Sequence, residues 1–142
     1  TGTSAIFKTP HMKHDITNAA DIRTLIDLFY QKVRADEVIG YIFNDIAQVD
    51  WAHHLPVMYA FWEFLLLDIS GGYQGNPIQK HFDLHARHPL KAEHFDRWLQ
   101  LFQSTVDELF EGPTADQAKF RAFAISETWK PKFDGPFAAK GL

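Results

Sequence analysis

The chain has 142 residues, 46% apolar and 23% charged, enough for one domain with a sizeable core and too few for two. A formal charge of −4 provides no broad basic field for a phosphate backbone, and the absence of cysteine excludes disulfides, thiolate ligands, iron–sulfur clusters and a cysteine nucleophile, in keeping with a reducing cytoplasm. No apolar run approaches the roughly 18 residues of a membrane-spanning helix, and residues 1–14 lack the apolar stretch of a secretory signal. The 13 Phe, 4 Trp and 8 His stand out instead. Large flat side chains and imidazoles gathered in a small volume point to a flat apolar cofactor, and without cysteine any metal ligand is expected to be histidine.

Residues 1–14 carry Gly, Ser, Thr and Pro without periodicity and read as an N-terminal extension. His11-Met12 resembles the junction of a cloning leader with a start methionine, so part of the extension reads as tag-derived. The folded domain is set at 15–133 and an irregular tail at 134–142. Asn18 is the expected N-cap of a first helix, with Asp21 three residues on and Ile22, Leu25, Ile26, Phe29 and Val33 at helical spacing to about Ala35. Val38–Ile46 reads as a short helix leading into a corner. Asp50 is the expected cap of the next helix, striped by Leu55, Met58, Tyr59, Trp62 and Leu66. Pro56 means that this helix either bends or begins only near His53.

The Ser70-Gly71-Gly72 cluster is expected to end that element, and Gly75-Asn76-Pro77 to start a short helix reaching about His85. After Pro89 comes the strongest helical pattern: Phe95, Trp98, Leu99, Phe102, Val106, Leu109 and Phe110. Gly112-Pro113 breaks it. Thr114 with Gln117 reads as a capping box for a last helix through Ala118, Ala122, Ile125 and Trp129, stopped by Pro131. No segment alternates with period two and no repeat appears, so the fold class is all-α.

Signatures of nucleophilic catalysis and nucleotide binding are missing, including G-x-S-x-G, a Gly-rich phosphate loop and H-E-x-x-H. Histidine placement is what remains. His81 and His85, four apart, share a helix face and have a spacing that can hold one metal ion, although surface histidines beside a loop fit the same pattern. His88 and His94 read the same way. His53 and His54 point to different sides of a helix, and His54 is the inward candidate. Tyr30, Trp98 and Met58 taken singly read as core residues, although a buried indole N–H needs an acceptor.

Taken together the residues resemble a known family. Phe29-Tyr30-Gln31-Lys32-Val33-Arg34, Gly40-Tyr41-Ile42-Phe43-Asn44, Trp51-Ala52-His53-His54 with Phe61-Trp62, Tyr73-Gln74-Gly75-Asn76-Pro77-Ile78-Gln79-Lys80-His81, and His94-Phe95-Asp96-Arg97-Trp98-Leu99-Gln100-Leu101-Phe102 follow in order and spacing the truncated haemoglobins of group III, from about Asp15 to Trp129. The resemblance implies a two-over-two globin fold around haem b (iron protoporphyrin IX). It implies His81 as the proximal iron ligand, with the second ring nitrogen donating to a carbonyl. An alignment pinned at His94-Phe95 would put His85 there instead; the helix start fixed by Gly75-Asn76-Pro77 favours His81. By the same resemblance Tyr30, His54 and Trp98 are the distal residues and Phe43 and Met58 pack on the haem, while Lys80 or Arg87 pairs with a propionate on grounds of charge.

Hydrogen bonds from Tyr30 and Trp98 are expected to favour polarised O₂ over neutral CO and to slow its release. That argues for retention, sensing or oxygen, nitric-oxide or peroxide chemistry rather than bulk transport. Turnover in such chemistry needs a separate reductase, since one domain leaves no room for it. His54 has two expected roles, a distal contact or a sixth iron ligand. Two other readings compete: a zinc-binding helical module built on His81, His85 and His88, and a cofactor-free interaction domain whose aromatics are core.

Overall fold

The computed structural model describes residues 13–69 and 88–133, and among these there are helices and no strands. Four α-helices, α1 (Ala19–Ala35), α2 (Trp51–Leu67), α3 (Ala92–Leu109) and α4 (Pro113–Phe133), are joined by a π-helical segment, Ile42–Ile46, between α1 and α2. Helix α1 packs on both α2 and α3, and α3 packs on α4. The expected short helix at Pro77–His85 lies outside the described residues, as do Lys80, His81, His85 and Arg87.

Helix α1 follows its sequence closely. The Asn18 side chain accepts from the Asp21 amide at 2.9 Å, and the Asp21 carboxylate reaches back to the Thr17 amide at 2.9 Å, one residue before the expected partner. Ile22, Leu25, Ile26, Phe29, Tyr30 and Val33 are buried. The expected short helix after α1 is π-helical instead: the Ala47 amide donates to the Ile42 carbonyl five residues back at 2.7 Å. Gly40 lets this segment close on α1, since a Cβ there would lie 3.0 Å from the carbonyl oxygens of Val33 and Arg34. Asn44 Nδ2 donates to the Arg34 carbonyl at 2.9 Å, occupying an acceptor at the open end of α1.

Helix α2 begins at Trp51, and Pro56 is accommodated within it. The Asp50 side chain makes no cap; its carbonyl accepts from the His53 and His54 amides at 3.0 and 2.8 Å. The helix stops before the Ser-Gly-Gly cluster, at Asp68, which takes the left-handed conformation at φ 57°.

Helices α3 and α4 meet through a difference in size. Helix α3 contributes Leu101, Phe102, Thr105 and Val106, and α4 offers a buried stripe of Ala115, Ala118, Ala122 and Ser126 that lets the backbones approach. The Thr105 hydroxyl is satisfied by the Leu101 carbonyl at 2.6 Å. The expected Thr114–Gln117 capping box is replaced by a distant cap. Helix α4 starts two residues earlier than that cap implies, at Pro113, and Asp15 accepts from the Thr114 and Ala115 amides at 2.9 and 2.8 Å. Proline suits this first position because its missing N–H would be unpaired there anyway. Pro131 does not stop α4, which runs on to Phe133. That phenyl is buried and stacks on Phe95 at 5.6 Å, an apolar contact that holds the last turn in place.

Candidate functional site

Tyr30 occupies the buried face of α1 one position after Phe29. Its ring meets Phe29 at 4.7 Å, Trp51 and His54 at 5.3 Å each, and Phe43 at 6.2 Å. Phe43 comes from the π segment and the other two from the first turn of α2, so three consecutive elements converge on one phenol. The extra residue per turn in a π segment reorients the side chains that follow it. Phe43 is thereby half-buried and stacked on Trp51 at 6.2 Å and 21°, while Tyr41 two residues earlier stays exposed.

Burial pushes the Tyr30 hydroxyl well above the ordinary phenol range, so it keeps its proton at any physiological pH and is a hydrogen-bond donor throughout. His54 is half-buried with Nε2 shut off from solvent, whereas His53, about 100° away round the helix, is exposed. Trp98 joins the group through Phe29, which meets it edge-on at 5.9 Å. The indole also stacks on Phe102 at 5.8 Å, and Phe102 stacks on Trp62 at 4.6 Å. Met58 is half-buried against the same core.

The structure thus brings Tyr30, His54 and Phe43 into direct ring contact and places Trp98 one ring away. His81 and Lys80, the expected iron ligand and propionate partner, lie outside the described residues. Two residues here carry no functional assignment from sequence: Trp51, which touches the phenol, and Arg34, whose guanidinium carbon sits 4.9 Å from the centre of the Trp51 ring. The signal was nonetheless present, because Arg34 is one turn from Tyr30 and Trp51 one turn from His54.

His88 and His94 serve local structure. The Pro89 carbonyl can only accept, so it takes the proton of His88 Nδ1 at 3.1 Å, which leaves Nε2 to accept from the Tyr41 hydroxyl at 3.1 Å. His94 Nδ1 accepts from the Lys91 amide at 2.9 Å at the start of α3. Among the described residues no three His, Asp or Glu gather in a metal-holding group.

The residues present fit a haem. Helix α2 is apolar around its whole circumference, yet Trp62 is its one fully buried residue; Met58, Phe61 and Leu65 remain half-buried. A helix lying between a protein core and a flat apolar group has that character. Beside it stand a phenol and an imidazole in ring contact, with an indole beyond Phe29.

Comparison with known proteins finds chains of similar sequence and fold. The chain is 35% identical over 102 residues to a curated group 3 truncated hemoglobin, ctb, of Campylobacter jejuni, a match that covers 70% of this chain and 77% of that protein. Its fold is similar to the crystal structure of a group III truncated hemoglobin from Campylobacter jejuni with a TM-score of 0.74 and 32% identity, covering 86% of this chain and 95% of the other. No protein-family profile matches the chain.

Proposed function

The chain belongs to the group III truncated haemoglobins, and from that premise we propose that it binds haem b and takes O₂ and other diatomic ligands in a pocket formed by Tyr30, His54 and Trp98. The observation that carries this reading is the buried phenol of Tyr30 ringed by Phe43, Trp51 and His54.

In this reading His81 holds the haem iron through an imidazole nitrogen, Phe43 and Met58 pack against the ring, and Lys80 pairs with a propionate. The haem, when bound, supplies an iron centre open to diatomic molecules. The protein's own part is to exclude water and to aim protons. Phe29, Phe43 and Trp51 keep solvent from the Tyr30 hydroxyl, which donates a hydrogen bond into the pocket. The Trp98 indole N–H is a second donor, its plane set by Phe29 and Phe102. Hydrogen bonds to charged partners contribute about 1.5–3 kcal/mol, so each donor slows release of a polarised ligand by roughly tenfold or more relative to neutral CO.

Such retention suits sensing, or oxygen, nitric-oxide or peroxide chemistry fed by a separate reductase, better than bulk transport. A cytoplasmic setting accords with the lack of cysteine. Absorption spectra of the purified protein, oxidised, reduced and reduced under CO, test the reading. A Soret band that shifts with CO is expected; zinc in place of iron with no Soret band would overturn it.

A further inference from the structure

The rings around Tyr30 are not equivalent. Phe29 is buried in the core, whereas Trp51 is half-buried and carries on its face the guanidinium of Arg34, itself exposed. Trp51 therefore stands between a solvent-facing cation and the buried phenol and imidazole of the pocket, 5.3 Å from the Tyr30 ring and 5.5 Å from that of His54. Its place in the chain matters too. Arg34 lies in the last turn of α1 and Trp51 opens α2, and the connection between the helices contains the π segment and Gln48 at φ 50°, backbone outside regular α-helix. The contact closes the seam where α1 ends and α2 begins.

We propose that Trp51 is the door by which small diatomic molecules reach the Tyr30–His54 pocket, and that the Arg34 cation–π contact is its latch. The inference rests on the haem-binding function above. Swinging the indole outward uncovers the Tyr30 and His54 rings and requires the guanidinium to let go. An exposed contact of this kind favours the closed arrangement by a factor of roughly two to five. A door differs from a ligand-stabilising donor in its kinetics. It lowers the barrier crossed on entry and on exit alike, so association and dissociation speed up by the same factor and the equilibrium constant stays put. Loss of the Tyr30 donor raises dissociation alone.

Flash photolysis of the CO-bound holoprotein, with equilibrium titration beside it, makes the test. Arg34→Gln is expected to raise CO association and dissociation together by about two- to fivefold and to leave the Kd within a factor of two. Trp51→Ala should raise both further, and Arg34→Lys should hold them near wild type because the cation is kept. Solvent exchange of the Trp51 indole N–H, followed by NMR in the CO-bound protein, should quicken in Arg34→Gln by a similar factor, a readout independent of gas binding. Unchanged association in both Arg34→Gln and Trp51→Ala, or a Kd shift carried by one rate constant, overturns the door. A wild-type protein that takes up neither haem nor CO overturns the functional reading and this inference with it.

Discussion

The carboxylate of Asp36, with its side chain only 3% exposed, accepts from both Nε and Nη2 of Arg97 through one oxygen, at 2.8 and 2.6 Å. Its other oxygen accepts from the Val38 and Ile39 amides at 2.9 and 3.0 Å. A single side chain thus ends α1, shapes the turn that follows and fastens α3 beside the Trp98 position.

Burial by itself would raise the Asp36 carboxyl, but Arg97 and the two amides outweigh it and hold the group below the ordinary carboxylate range. A depressed folded-state pKa stabilises the protein above about pH 4, and that stability is lost as the pH falls through the unfolded and then the folded value. Asp36→Asn should cost about 2 kcal/mol at neutral pH, a figure discounted because Arg97 is one-third open to solvent, and should flatten the acid limb. Urea denaturation at pH 7 and at pH 3.5 checks both; equal midpoint differences at the two pH values would contradict it.

Asp15 acts across a longer span. Desolvation raises its carboxyl, and the amides of Thr114, Ala115 and Ile16 more than reverse that. Asp15→Ala should cost about 1–2 kcal/mol, the usual loss for a helix N-cap. Gly112→Ala should do at least as much harm, since Gly112 sits at φ +141° and a Cβ would stand 2.6 Å from Cγ of Asp15. Combining the two substitutions should cost somewhat less than their sum, because the Cγ and Oδ2 contacts leave with the carboxylate while the Cβ approach at 2.8 Å and the strained φ stay. Strict additivity in thermal melts would refute the shared mechanism.

Between α1 and α2 the Tyr59 hydroxyl donates to Asp27, with Arg23 over the ring at 5.7 Å. Partial burial and the Asp27 carboxylate push the phenol up to about 12. The raised value means that the neutral phenol stabilises the fold below about pH 10, an advantage lost as the pH rises through 12. Asp27→Asn should bring the ultraviolet titration of this tyrosine back toward its ordinary range. A titration curve unaltered by the substitution would break the link.

For Tyr30, removing the hydroxyl while keeping the ring isolates the hydrogen bond from the packing. Tyr30→Phe should speed O₂ release by tenfold or more while leaving CO release within about threefold. Stopped-flow displacement measures both. If O₂ release did not change, the case for ligand retention would fall.

Helices α1 and α3 were readable because each keeps its apolar residues on one side and polar ones on the other, so that Ile22, Ile26, Phe29 and Val33, or Phe95, Phe102 and Val106, repeat at helical spacing. In helix α2 the expected stripe of Leu55, Met58, Tyr59, Trp62 and Leu66 does pack on the core, although apolar residues elsewhere on the helix blur its edge. The π segment left no mark in the pattern: its register depends on how Gly40 and Asn44 close on the end of α1, a tertiary matter. The α4 cap was beyond local reading because Asp15 lies 99 residues from Thr114, and Pro131 misled because a proline near a helix end costs little when Phe133 is anchored beyond it. Tyr30, His54 and Phe43 were found through the family pattern and the structure gathers them; Trp51 and Arg34 were passed over because their importance lies in each other.

The tie between Asp15 and α4 also bears on biosynthesis. A ribosome releases the strap that carries this carboxylate long before the helix it must meet, and the Glu111 amide with the His14 carbonyl at 3.1 Å repeats the same delay. These clasps can engage only once nearly the whole domain has emerged. The nascent chain therefore passes through synthesis with the start of its final helix unfastened until the last residues appear.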